Sequence, residues 1–258
     1  MTTNPYSAPA AAVADPAAPQ GKFVPGGRRV AAGHGWTWFV TAWSLFRMRP
    51  VVWIAIFLIV AAFVYLSART QFIGGLALTL LAPIFGAGIV IGCRALDEGA
   101  ELRIGHLFAG FRERFAALAG VGALYLAASF IVTFIALAIA GGSVMALAQG
   151  GRVEGDWMAV LAALAVFLLV LFALSIPVLM AVWFAPALVS FHEKGPMEAM
   201  KESFQGCLRN TVPFLVYGVV GLAMAIVATI PLGLGLLVFG PVLMASVYTA
   251  YKDIYLQP

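Results

Sequence analysis

Two stretches of this chain carry no Asp, Glu, Lys or Arg: 35 residues from Trp157 to Phe191 and 41 residues from Thr211 to Tyr251. A hydrocarbon core about 30 Å thick is crossed by about 20 helical residues, so runs of this length read as membrane spans. Backbone polar groups find no water in lipid, which leaves only helices or a closed barrel. Barrel strands alternate apolar and polar residues, and Leu161-Ala-Ala-Leu-Ala-Val-Phe-Leu-Leu-Val170 does not alternate. The chain reads as all-α integral membrane, in keeping with its 63% hydrophobic residues.

Charge and turn residues bound six transmembrane helices: Val51–Ala68, Phe72–Cys93, Ala117–Ala140, Trp157–Phe191, Val212–Ile230 and Leu234–Tyr251. The fourth is over-long and holds Pro177 and Pro186, while Pro231-Leu-Gly-Leu-Gly235 makes a tight turn between the last two. Thirteen basic residues then fall on one side, in the N-terminal segment, the second-to-third loop, the fourth-to-fifth loop and the C-terminus. Only Arg69 and Arg152 fall on the other, so the positive-inside rule puts both termini in the cytoplasm. The net charge of +4 is thus a topology effect; a nucleic-acid partner would want a basic face on a folded soluble module.

Residues 1–33 are rich in proline and alanine and contain no apolar run long enough to insert or to serve as a signal peptide. They read as a disordered cytoplasmic tail, leaving 34–258 as a single six-helix membrane domain. Cys93 and Cys207 read as free thiols in a reducing compartment.

Gly195–Asn210 interrupts the uncharged runs with Glu198, Lys201, Glu202 and Arg209. Met197, Met200, Phe204, Cys207 and Leu208 share one helical face, opposite those charges. Pro196 suits the first turn, Glu198 the positive helix start and Arg209 the negative end. Such a helix lies in the membrane interface. Ile104, Leu107, Phe108, Phe111 and Phe115 make a similar stripe, and Trp36, Phe39, Val40, Trp43 and Phe46 a third. Each ends on basic residues just before a span (Arg47 and Arg49, Arg112 and Arg114, Arg209).

The second helix of each following pair holds a small residue and a proline: Ala82-Pro83, Ala185-Pro186 and Gly240-Pro241. A basic residue follows eleven positions after the first and third of these, Arg94 and Lys252. The chain therefore reads as three hairpins, each preceded by an amphipathic interfacial helix, with the middle unit lengthened around Gly141–Asp156. Internal repeats are a recurring way to build membrane bundles.

The run Ala199-Met-Lys-Glu-Ser-Phe-Gln-Gly-Cys-Leu-Arg-Asn210, passing directly into a span, resembles a segment of several bacterial integral membrane families. It is loosely similar to the membrane domain attached to some glycerophosphodiester phosphodiesterases. With Asn4-Pro-Tyr-Ser-Ala-Pro9, six spans and Gly240-Pro241, the chain resembles an uncharacterised proteobacterial six-span inner-membrane protein family. That resemblance implies a bacterial inner-membrane location but no assigned activity; the phosphodiesterase's soluble catalytic domain has no counterpart in these residues.

No charged residue lies inside an expected span. Intramembrane ionisable groups mark proton relays and charged-substrate paths, so an energised transporter is disfavoured. Hydroxyls in the spans, among them Tyr125, Ser129, Thr133 and Ser175, are read as bonding backbone or bridging helices. His34, His106 and His192 occupy three juxtamembrane segments, and His192-Glu193 lacks the rest of a zincin motif. No phosphate loop, nucleophile elbow or CxxC pair is present, so no catalytic, cofactor-binding or metal-ligating set is assigned and none is expected.

The expectation is a non-enzymatic multi-pass protein that contacts membrane lipids, or an unidentified membrane protein partner, through its interfacial helices. The candidate interface comprises Trp36, Trp43, Arg47, Arg49, Phe108, Phe111, Arg112, Arg114, Met200, Phe204 and Arg209. Two alternatives belong to other classes: a passive carrier or flippase for a hydrophobic or lipid-linked molecule, and a membrane subunit or assembly factor of a larger complex.

Overall fold

The computed structural model of the chain describes residues 21–149 and 157–257. A two-residue strand, β1 (Lys22–Phe23), opens it, followed by α1 (His34–Met48), α2 (Pro50–Arg69) and α3 (Gln71–Asp97). A 3₁₀ turn at Ile104–Phe108 and the short α4 (Gly110–Glu113) lead to α5 (Phe115–Gln149), α6 (Trp157–Trp183) and α7 (Ala185–His192). The chain closes with α8 (Pro196–Arg209), α9 (Thr211–Thr229), α10 (Leu236–Tyr255) and β2 (Leu256–Gln257).

Five helical stretches are long and apolar enough to cross a membrane: Pro50–Arg69, Phe72–Asp97, Phe115–Gly142, Val160–His192 and Thr211–Thr229. The protein is therefore all-α and of multi-pass membrane type. The sixth expected span, Leu234–Tyr251, corresponds to α10, which is not among the five. Its last turns carry Tyr248, Thr249, Tyr251, Lys252 and Asp253, and nearly the whole of that half is buried inside the protein.

The over-long fourth segment breaks at Phe184, between α6 and α7. A straight helix would bond the Phe184 amide to the Met180 carbonyl. The buried Ser203 hydroxyl sits between them, accepting from Phe184 N at 2.9 Å and donating to Met180 O at 2.7 Å. A side chain inserted into the ladder is one recognised cause of a sharp kink. Pro186 adds a second, because it has no N–H for the Val182 carbonyl.

Pro83 and Pro241 lie inside α3 and α10, and Pro186 opens α7. The segments that follow these three prolines pack together as the core. α3 contributes Ile84, Ala87, Val90, Cys93 and Leu96 at every third residue, α7 buries Ala185 through Val189, and α10 buries most of Val242–Tyr255. α1, α8 and the 3₁₀ turn pack against these segments, and Gly88 admits the 3₁₀ turn so closely that a Cβ there would lie 2.3 Å from the Leu107 carbonyl oxygen.

The three amphipathic segments differ from their expected form. α1 buries Trp38, Phe39, Ala42, Leu45 and Phe46 against α9 and α10, so the expected stripe is split: Phe39 and Phe46 point inward, and Trp36, Val40 and Trp43 outward. The expected helix over Ile104–Phe115 is a 3₁₀ turn plus one helical turn; its glycines, Gly105 and Gly110, are poor helix formers. α8 forms as expected but packs through Ala199, Ser203, Gly206 and Cys207, leaving Met197 and Leu208 exposed and Phe204 half-buried.

The expected tail runs to residue 33, yet the chain is held from residue 21 onward. Residues 1–20, including Asn4–Pro9, and 150–156 lie outside the described residues. β1 pairs antiparallel with β2, Lys22 opposite Gln257 and Phe23 opposite Leu256, which ties residue 21 onward to the end of α10. The partners that hold this segment lie some 200 residues downstream, beyond the reach of a local composition argument.

Candidate functional site

The ends of the three core segments converge. Arg94, Asp97 and Glu98 come from α3, Phe191 and His192 from α7, and Tyr248, Tyr251 and Lys252 from α10. Tyr248 donates its hydroxyl to Asp97 Oδ2 at 3.0 Å, and Lys252 Nζ bonds the same oxygen. Arg94 Nε bonds Glu98 at 2.7 Å while its guanidinium lies 5.3 Å from the Phe191 ring centre. His192 Nε2 is 2.6 Å from the Tyr251 hydroxyl, and Phe23 packs on its other side at 3.8 Å between ring centres. The eleven-residue step after Pro83 and Pro241 delivers Arg94 and Lys252 to one cavity. That cavity measures about 10 Å³, room for roughly one water. Its charges are paired with one another, so the arrangement does the work of a polar clamp.

Beside it lies a second cluster, built around Asp253. Arg28 donates to its Oδ1 at 2.9 Å, and its Oδ2 meets His34 Nδ1 at 2.7 Å and Trp38 Nε1 at 2.8 Å. From α8, Arg209 Nη1 donates to the carbonyls of Gly26 and Gly27, at 3.1 and 2.9 Å. Asn210 accepts from the Val30 amide at 2.9 Å and donates to Arg28 O at 2.8 Å. Gly26 and Gly27 both have positive φ, which lets the chain turn tightly enough to present those carbonyls. An open cleft of about 670 Å³ adjoins this cluster, lined by Arg28, His34, Thr37, Lys252 and Asp253 among others.

The candidate interface residues divide into two groups. Trp36 and Trp43 stand on the outer face of α1, 51% and 41% exposed, with Arg47 exposed one turn beyond Trp43. Phe108 and Phe111 are exposed beside an exposed Arg112, and both rings pack against Phe85, 6.1 and 5.6 Å away. The others are engaged by the protein. Arg49 pairs with Glu101 and Arg114 with Glu193; Met200 is buried, Phe204 is half-buried, and Arg209 holds the N-terminal turn. Thus the structure places four of the five aromatic residues in two exposed groups and does not bring the eleven into one patch.

Each histidine has a different partner: Asp253 for His34, the Arg103 amide for His106 and Tyr251 for His192. Among the described residues no group of His, Cys, Asp and Glu has the arrangement of a metal site. Cys93 and Cys207 are free and buried. Burial pushes the Cys207 thiol up to about 12, against a smaller downward pull from its hydrogen bond with Ser203, so it stays protonated and unreactive at neutral pH. Sequence reasoning missed Asp97, Tyr248, Asp253 and Asn210. Only the shared spacing of Arg94 and Lys252 hinted that the ends of separate helices meet.

Over 206 residues the chain is 29% identical to a protein of Burkholderia thailandensis described as a probable inner membrane protein, covering 76% of this chain and 75% of that one. That relative's description as a membrane protein agrees with the apolar helices of this chain. No family model matches the chain, and no solved structure matches it.

Proposed function

We propose that this is a non-enzymatic inner-membrane protein of six spans, arranged as three hairpins with both termini cytoplasmic, that binds anionic lipid headgroups through its amphipathic rim. The observation that carries this reading is the outer edge of α1, where Trp36, Val40 and Trp43 remain exposed although the same helix buries Trp38 and Phe39. Trp at a membrane surface sits at headgroup level, and Arg47 and Arg112 stand exposed beside the aromatic groups, where each basic residue near an anionic surface contributes about 1 kcal/mol. For a non-enzymatic role, the support is that the charged groups at the core ends are spent on one another: Arg94 pairs with Glu98, Lys252 with Asp97, and Arg28 and His34 with Asp253. The likeness to the phosphodiesterase membrane domain rests on residues 199–210 and brings no activity with it.

The test is native mass spectrometry of the purified protein. Arg47→Ala with Arg112→Ala is expected to lower retained phosphatidylglycerol about fivefold for each kcal/mol lost. Unchanged retention overturns the lipid-rim reading. Separately, a cytoplasmic reporter fused after Gln257 is expected to be active and a periplasmic one inactive; the reverse result refutes the topology.

A further inference from the structure

Four of the membrane hydroxyls meet in one place. Tyr125, Ser129 and Thr133 lie at successive i+4 positions on α5, a row about 12 Å long at 1.5 Å per residue. Ser175 faces them from α6, and together they line a cavity of about 240 Å³ whose remaining wall is apolar, including Val132, Leu171 and Val178. That volume holds several waters or a small polar group. No charged side chain lines it.

The hydrogen-bond state of the four is specific. Ser129 donates to Tyr125 O at 2.8 Å, Thr133 to Ser129 O at 2.8 Å, and Ser175 to Leu171 O at 2.6 Å. Their hydrogens are thereby committed to backbone, and their oxygens are left as acceptors. The half-buried Tyr125 lines the cavity, and its hydroxyl makes no hydrogen bond to protein among the described residues, which leaves it open to an occupant. An occupant must therefore offer a donor to the Ser and Thr oxygens and an acceptor to Tyr125. It must also be uncharged, since an ion here would have no counterion in a low-dielectric setting. Leu179, part of the wall, is 47% exposed on the outer surface of the apolar helices, so access is from the bilayer.

The geometry points to a binding site between α5 and α6 for an uncharged lipid that carries a free hydroxyl, of the diacylglycerol or long-chain polyprenol kind. It is independent of the lipid rim, because it involves none of the rim residues and none of its charges.

The experiment uses the full chain in phospholipid nanodiscs and a diacylglycerol probe with a photoactivatable acyl chain, mapped by mass spectrometry. Saturable labelling is expected on peptides containing 125–133 and 171–179. Tyr125→Phe removes one hydroxyl at almost constant volume and is expected to weaken the half-saturation concentration about tenfold, the effect of losing one hydrogen bond in a water-poor site. Ser129→Leu fills the cavity and is expected to abolish labelling. Gel filtration of each variant checks that the fold is intact, and Tyr125→Phe carries the test if Ser129→Leu misfolds. Competition by unlabelled diacylglycerol or by polyprenol supports the site and identifies which lipid it prefers. Equal competition by phosphatidylcholine, or labelling unchanged in Tyr125→Phe, overturns it.

Discussion

Asp253→Ala is expected to release the N-terminal segment and to lower stability by about 3 kcal/mol. Three donors, from Arg28, His34 and Trp38, converge on this one carboxylate. Its side chain is 17% exposed and that of Arg28 36%, so the pair is partly desolvated. Removing one partner of a buried ion pair costs about 3–5 kcal/mol; the solvent access of Arg28 places this case at the lower end. The buried Trp38 indole is also left without an acceptor, adding to the loss. The measurement is trypsin cleavage after Arg28 and Arg29, with the thermal midpoint in detergent recorded alongside. Asp253→Asn, which keeps an acceptor for Trp38, should fall between alanine and wild type. Cleavage at the wild-type rate in Asp253→Ala would show that the cluster does not hold the segment.

A second large effect is expected at Gly88. A Cβ there would approach the carbonyl oxygens of Leu107 and His106 to 2.3 and 2.5 Å, and these are backbone atoms that cannot rotate away. Gly88→Leu should push the 3₁₀ turn off α3 and expose Leu107, now fully buried. Overpacking of this kind costs about 1–3 kcal/mol when the neighbours can adjust, and more when they cannot. Gly75 lies in the same helix with nothing within 4 Å of its Cβ position. Gly75→Leu should therefore be tolerated, and helix propensity alone favours it by somewhat under 1 kcal/mol. If the two variants melt together, the close approach at Gly88 is not limiting.

Five of the six expected spans were legible because lipid is an unforgiving solvent: charges are excluded from it, and long uncharged runs far exceed what a soluble helix or strand tolerates. The limits of α8 were legible too, through Pro196 at its start and Arg209 in its last turn. The inward faces were not. Periodicity separates apolar from polar, but lipid and protein interior are both apolar, so Phe39 and Trp43 looked equivalent although one is buried and the other exposed. Where helices pack closely, small residues that let the backbones approach mark the contact face better than large apolar ones. On α8 that face is Ala199, Ser203 and Gly206, which a hydrophobic stripe passes over. The polar clusters escaped for a different reason. Asp97 meets Tyr248, and Asn210 meets Arg28, across 151 and 182 positions of sequence. The span hydroxyls were visible one by one, and only the pairing of α5 with α6 gathers four of them.

The clasp between the two ends has a consequence for biosynthesis. Arg28 leaves the ribosome 225 residues before Asp253. At about 5–20 residues per second the N-terminal segment waits roughly 11–45 s for its partners, while α1 to α9 are synthesised. Closure therefore cannot precede synthesis of α10, and a nascent chain stopped before Asp253 has no partner for Arg28. Until then Arg28 and the segment around it are open to a protease, and the clasp removes that access once both strands are present.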